Sequence, residues 1–167
     1  MKNRDDALIR KINEYCEEVE AAIDCFGDKE EFQNNKVFRN AACMPIMQIG
    51  ELCKLISDEL RNEECEIDWK GWCGIRDILA HQYTNIDYKK TWGILTEDLP
   101  ALKERVSAIL KEKDTASIER IGRVIRENGI DEVDSESVFH RIVDGTGISV
   151  DMFSDKKLCE LIRTINQ

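Results

Sequence analysis

Apolar residues recur along this chain at steps of three and four, with little to interrupt them. Leu8, Ile12, Tyr15, Val19, Ala22 and Phe26 open the pattern, and such steps return side chains to one face of a 3.6-residue helix. The 167 residues contain only two prolines and nine glycines, too few breaks for a many-turned β architecture. The periodicity therefore predicts an all-α fold.

The first helix is expected to be capped by Asp5 or Asp6 and to end at Gly27. A second pattern runs through Phe38, Ala42, Ile46, Ile49, Cys53, Ile56 and Leu60. Pro45 interrupts it and predicts either a kink or a late helix start. The polar run from Asn62 to Asp68 ends it. Trp69 opens a short third helix, and Asp87 caps a fourth in which Trp92, Leu95, Leu99, Leu102, Val106 and Ile109 keep heptad spacing. Pro100 is expected in the first turn of a continuation capped by Asp98, where a missing N–H is tolerated. Apolar stripes joined by short connections make an antiparallel bundle of four to five helices over residues 1–113.

Beyond Lys113 the character changes. Shorter patterns run from Ser117 to Asn128, from Ser135 to about Asp144, and from Ser154 to Asn166. Each opens on a serine suited to an N-cap, and Gly129 closes the first. Residues 114–167 read as a C-terminal helical extension whose role the pattern leaves open.

Charge and cysteine usage narrow the function. A net charge of −10 argues against sequence-blind adhesion to nucleic acid or anionic membrane, which needs a basic surface. It leaves room for a small cationic site. No apolar run approaches the roughly 18 residues of a membrane-crossing helix. The seven cysteines, Cys16, Cys25, Cys43, Cys53, Cys65, Cys73 and Cys159, are odd in number and form no C-x-x-C pair. With no signal peptide in view, the expectation is reduced, buried thiols in a cytoplasmic protein and no bound metal or other cofactor.

The stretch "GIRDILAHQYTNID" holds Arg76, His81 and Tyr83 in a chain with two histidines. A guanidinium matches two phosphate oxygens at once. An imidazole with an ordinary pKa near 6.5 accepts and returns a proton at neutral pH. The pair suffices for metal-free RNA cleavage: histidine takes the 2′-hydroxyl proton or protonates the 5′-leaving oxygen, and arginine stabilises the charge on phosphorus. Geometry restricts this, because five helical residues turn through about 140°. Arg76 and His81 converge only if the helix ends near His81, or if two-fold symmetry brings two copies to one cleft. Asp77, four residues before His81, shares its face and can orient the ring. The plainer alternative is a solvated or salt-bridged arginine beside a packing histidine.

The wider context resembles the HepT-like branch of the HEPN proteins, the toxin halves of HEPN/MNT toxin–antitoxin pairs. "QIGELCKLIS" (Gln48 to Ser57) is similar to the family's helix with an I-G-E core. "IDWKGWCGIRDILAHQY" (Ile67 to Tyr83) resembles its W-x-x-x-x-G-x-R-[ND]-x-x-x-H-x-Y block. "IDYKKTWGILTEDLPALKE" (Ile86 to Glu104) resembles the helix that follows. The resemblance implies a homodimeric HEPN bundle that cleaves RNA, not DNA, without metal. Arg76 and His81 match the catalytic positions, and Asp77 matches the polar residue after the arginine. It also implies a cognate MNT-type nucleotidyltransferase antitoxin, with Tyr83 matching the tyrosine that accepts AMP. A HEPN bundle that has lost activity and survives as a binding and modification partner is the alternative; a purely structural helical adaptor is a more distant one.

Other residues carry expectations too. Trp69, Trp72 and Trp92 read as core or interface packing. Gly50 and Gly74, inside helical patterns, read as sites of close helix approach. His140 reads as surface or packing, and Arg120, Arg123 and Arg126 as a solvated face.

Overall fold

A computed structural model describes residues 2–81, 86–130, 133–146 and 148–166, without the side chains of residues 2, 3 and 81. Among the described residues it is all helix and turn. The order is α1 (Lys2–Phe26), α2 (Lys29–Asn34), α3 (Lys36–Leu55), α4 (Asp58–Glu63), α5 (Trp69–His81), α6 (Tyr88–Gly93), a π turn (Ile94–Asp98), α7 (Leu99–Glu127), α8 (Ser135–Thr146), a 3-10 turn (Val150–Met152) and α9 (Asp155–Ile165). The chain divides into two compact units, Met1–Ala108 and Ile109–Gln167, and the division falls inside α7.

In the first unit α3 packs against both α1 and α5. Ile9, Ile12, Cys16 and Val19 of α1 are buried, as are Phe38, Ala42, Ile46, Ile49 and Cys53 of α3. Trp69, Trp72 and Leu79 come from α5, and Leu95, Leu99, Leu102 and Val106 continue the heptad stripe. Each Val, Leu, Ile or Phe among them contributes roughly 1.5–3 kcal/mol by leaving water. Trp92 joins an aromatic cluster, 5.4 Å from the Phe32 ring and 6.1 Å from Phe38. All three tryptophans are therefore packing residues.

Several boundaries differ from the sequence reading. Helix α1 begins at Lys2, so Asp5 lies inside it and caps nothing there. Buried Asp5 instead reaches the next corner, accepting hydrogen bonds from Ser57 N (3.0 Å) and Ser57 Oγ (2.6 Å). Ser57 Oγ in turn accepts from Leu60 N and caps α4. The second pattern is thus two helices, broken where Ile56 and Ser57 adopt extended backbone. Periodicity did not show the break because Cys53 and Leu60 are buried on either side of it and Ile56 within it. Pro45 lies well inside α3, which starts at an Asn35 cap, so a late start is not the outcome. Asp28 caps the short α2, and Asp87 caps α6 by accepting from Lys89 N and Lys90 N. Gly27 (φ +110°) closes α1, as expected.

Asp98 is not a cap either. It ends a π turn in which the Leu99 N–H donates to Ile94 O, five residues back. A proline within a helix removes one backbone donor and clashes with the turn before it. A wider turn just ahead of Pro100 absorbs that mismatch without ending the helix.

In the second unit, Ile121, Val124, Ile125, Val138, Phe139, Ile142, Leu158 and Ile162 form the core with Val150 and Cys159. Ser117 is buried within an unbroken α7 and is not an N-cap. For α8 the cap is Asp134, which accepts from Ser137 N at 2.7 Å, not Ser135. Ser154 does cap α9. Gly129 (φ +58°) closes α7, where Ile130 N–H bonds to Ile125 O and Gly129 N–H to Arg126 O. That pair of bonds satisfies carbonyls the helix end would leave open.

Arg120 departs from the expected solvated face. Its guanidinium donates to Val150 O (3.2 Å), Phe153 O (2.6 Å) and Asp155 Oδ1 (2.6 Å), clamping the turn before α9. His140 is exposed on α8, against the Phe139 ring.

All seven cysteines are free thiols. Cys16, Cys53 and Cys159 are buried and Cys43 and Cys73 half-buried, whereas Cys25 and Cys65 are exposed and depart from the expectation of buried thiols. Burial pushes the Cys16 thiol up to about 12 and the Cys43 thiol up to about 11.

Candidate active site

Helix α5 starts where Asp68 Oδ1 accepts from Gly71 N (2.8 Å) and the Trp69 indole donates to Glu64 O (3.1 Å). Trp72 and Leu79 point into the core, which fixes the rotation of the helix and sets Arg76 against α3. The seat is Gly50. A Cβ built there would lie 2.4 Å from Arg76 Cβ and 2.7 Å from Trp72 O. Only glycine lets the two backbones come this close. Gly74 does not share that role, for a Cβ there meets nothing within 4 Å. The expected close approach holds at Gly50 and fails at Gly74.

Four charged side chains close a ring across α3 and α5. Arg76 Nε lies against Glu51 Oε1, and Arg76 Nη1 donates to Asp77 Oδ1 at 3.0 Å. Lys54 Nζ donates to the same Asp77 oxygen at 2.8 Å and to Glu51 Oε1 at 3.2 Å. The Arg76 side chain is 25% exposed and that of Asp77 54%, so the guanidinium is seated while the carboxylate faces solvent. The hydrogen bonds from Lys54 and then Arg76 hold the Asp77 carboxyl below its ordinary value, and Asp77 raises the Lys54 ammonium. Asp77 and Lys54 therefore both stay charged at neutral pH.

The sequence-predicted residues divide accordingly. Arg76 and Asp77 are adjacent and hydrogen-bonded. Among the described residues α5 ends at His81, and along it positions 76 and 81 lie about 140° apart around the axis. The His81 side chain and Tyr83 lie outside the described residues. Sequence reasoning missed Glu51 and Lys54. The signal was a glycine inside a helical pattern, followed at once by Glu51 and three residues later by Lys54.

A cleft of about 650 Å³, lined by Glu66, Trp72, Ile75, Asp98, Leu102 and Arg105 among others, includes none of the four ring residues. Among the described residues no three His, Cys, Asp or Glu side chains gather into a metal-binding group, and no helix is long and apolar enough to cross a membrane.

The family model for ribonuclease HepT-like proteins matches residues 12–109. That is more than half of the chain, and it includes α3, α5 and the charge ring. The chain belongs to the HepT-like ribonuclease family, a HEPN family, and its all-α bundle is that family's fold. It is 38% identical over 82 residues to "Putative RNase MJ1380" of Methanocaldococcus jannaschii, covering 49% of this chain and 75% of the relative. "Probable ribonuclease HepT" of Thermococcus cleftensis is 29% identical over 111 residues, 61% of this chain and 98% of the relative. "Gamma-glutamylcyclotransferase and putative RNase MJ0434" of Methanocaldococcus jannaschii is 33% identical over 105 residues, 62% of this chain and 47% of the relative. No solved structure matches the chain significantly.

Proposed function

We propose that this ribonuclease is a metal-independent endoribonuclease and the toxin of a HEPN/MNT toxin–antitoxin pair, acting in the cytoplasm. The observation that carries the reading is the seating of Arg76. A permanent cation is fixed by Gly50 and Glu51 at a surface where its other partner is an exposed carboxylate. Fixed donors aimed at developing charge are worth most in transition-state stabilisation, because nothing must reorganise as the reaction proceeds. The His81 imidazole takes the 2′-hydroxyl proton as the 2′-oxygen attacks phosphorus, the P–O5′ bond breaks, and an imidazolium gives its proton to the leaving 5′-oxygen. The products are a 2′,3′-cyclic phosphate and a 5′-hydroxyl. Asp77, one turn before position 81, orients the imidazole.

A homodimer resolves the 140° separation of positions 76 and 81, because arginine and histidine from both chains then line one cleft across a two-fold axis. Control comes from a cognate nucleotidyltransferase that attaches AMP to Tyr83. A bulky anion two residues from His81 excludes RNA by charge and volume.

The experiment is RNA cleavage by the purified protein with and without EDTA, beside His81→Ala. Cleavage that survives the chelator, leaves cyclic phosphate ends and disappears in the variant supports the reading. Cleavage that stops in EDTA and returns with magnesium overturns it.

A further inference from the structure

We propose that Lys54 is a second phosphate-binding cation of the RNA site, and that Asp77 Oδ1 stands, in the free protein, where a phosphate oxygen binds. The inference rests on the reading of Arg76 given above. Asp77 Oδ1 receives donors from two cations on two helices, Arg76 Nη1 at 3.0 Å and Lys54 Nζ at 2.8 Å. A carboxylate oxygen and a non-bridging phosphate oxygen are equivalent acceptors for charge-assisted bonds of this length.

The partners differ in how readily they give way. Asp77 is exposed, and exposed ion pairs contribute little to stability. Glu51 touches both cations, Arg76 through Nε and Lys54 at 3.2 Å. When Asp77 turns aside, Glu51 still keeps the guanidinium and the ammonium together despite their mutual repulsion. An incoming phosphate then takes the vacated position and restores the charge balance. The ligand class is the single-stranded RNA backbone, whose phosphate is gripped from α5 by a planar fork and from α3 by a point charge.

The test uses the full chain and a short 2′-O-methyl oligoribonucleotide, which has no free 2′-hydroxyl to attack. Affinity is measured between low and physiological salt for wild type, Lys54→Gln, Lys54→Arg, Asp77→Asn and Arg76→Ala. Losing one phosphate contact on a single strand should lower the slope of log K against log salt by about 0.7. Lys54→Gln should show that drop with severalfold weaker binding, Lys54→Arg should restore both, and Asp77→Asn should bind more tightly than wild type. Wild-type slope and affinity in Lys54→Gln would overturn the proposal, as would weaker binding by Asp77→Asn. If Arg76→Ala also leaves the slope unchanged, the RNA-site reading itself falls. A normal Arg76 effect without a Lys54 effect removes Lys54 alone. Thermal melting of each variant separates lost binding from lost folding, and Lys54→Arg keeps the test decisive if the glutamine variant folds poorly.

Discussion

Arg76 and Arg120 carry the same guanidinium, and each is held by several partners, yet the two regions use them differently. In the Ile109–Gln167 unit, Arg120 ends on backbone carbonyls of Val150 and Phe153 as well as on Asp155. Those carbonyls cannot turn away without unwinding the segment that carries them. In the Met1–Ala108 unit, Arg76 ends on side-chain carboxylates, Glu51 and Asp77. A carboxylate on a rotatable stem at the surface can give way to another anion. Counting an arginine's bonds therefore does not reveal its purpose; the mobility of its acceptors does.

The largest expected effect breaks the comparison at Arg76. Removing one preorganised donor to developing charge typically costs about 10²–10³-fold in rate. Arg76→Ala should lose that much RNA cleavage, while hydrogen exchange in the second unit stays at wild-type protection. Arg76→Lys should recover little, because the charge survives but the planar fork does not.

Next comes Gly50→Ala, which attacks the seat rather than the arginine. The new methyl meets Trp72 O, a backbone atom that cannot swing aside, as well as Arg76 Cβ. Overpacking of this kind costs about 1–3 kcal/mol, readable by urea unfolding, and a displacement near 1 Å can cost about 10²-fold in rate. Full activity with unchanged stability would mean that the two helices separate freely and that Arg76 is not preorganised.

Arg120→Ala is the mirror experiment. Leaving the Val150 and Phe153 carbonyls without their donor should cost about 1–3 kcal/mol. The loss should appear as faster amide exchange in α9, with RNA cleavage at the wild-type level. Cleavage that fell in step with exchange would tie the second unit to catalysis and erase the contrast.

The smallest effect has the opposite sign. Helical glycine is destabilising by about 0.5–1 kcal/mol relative to alanine, and Gly74 has open space around it. Gly74→Ala should raise stability by that amount without loss of activity. A destabilised variant would show that position 74 meets something in the working assembly.

What the sequence determined by itself was the part written in neighbouring residues. Gly27 and Gly129 as stops, Asp87 and Ser154 as caps, and Trp69 as the start of α5 follow from hydrogen bonds that span only a few positions. The apolar stripes of α1, α3 and α7 follow from the 3.6-residue repeat, and the family motif followed from residues in sequence order. The tertiary structure alone decided the long-range pairs. Asp5 holds Ser57 across 52 positions, Lys54 meets Asp77 across 23, and Arg120 reaches Asp155 across 35. Periodicity says which face of a helix is buried, but not which charged group on another helix will stand opposite. That is why Asp5 and Ser117 were misread as caps, Arg120 as a solvated charge, and Glu51 and Lys54 were not read as site residues at all. The Gly50 seat lies between the two cases: the glycine was visible in the sequence, but the arginine that needs it came into view only once α3 and α5 were packed together.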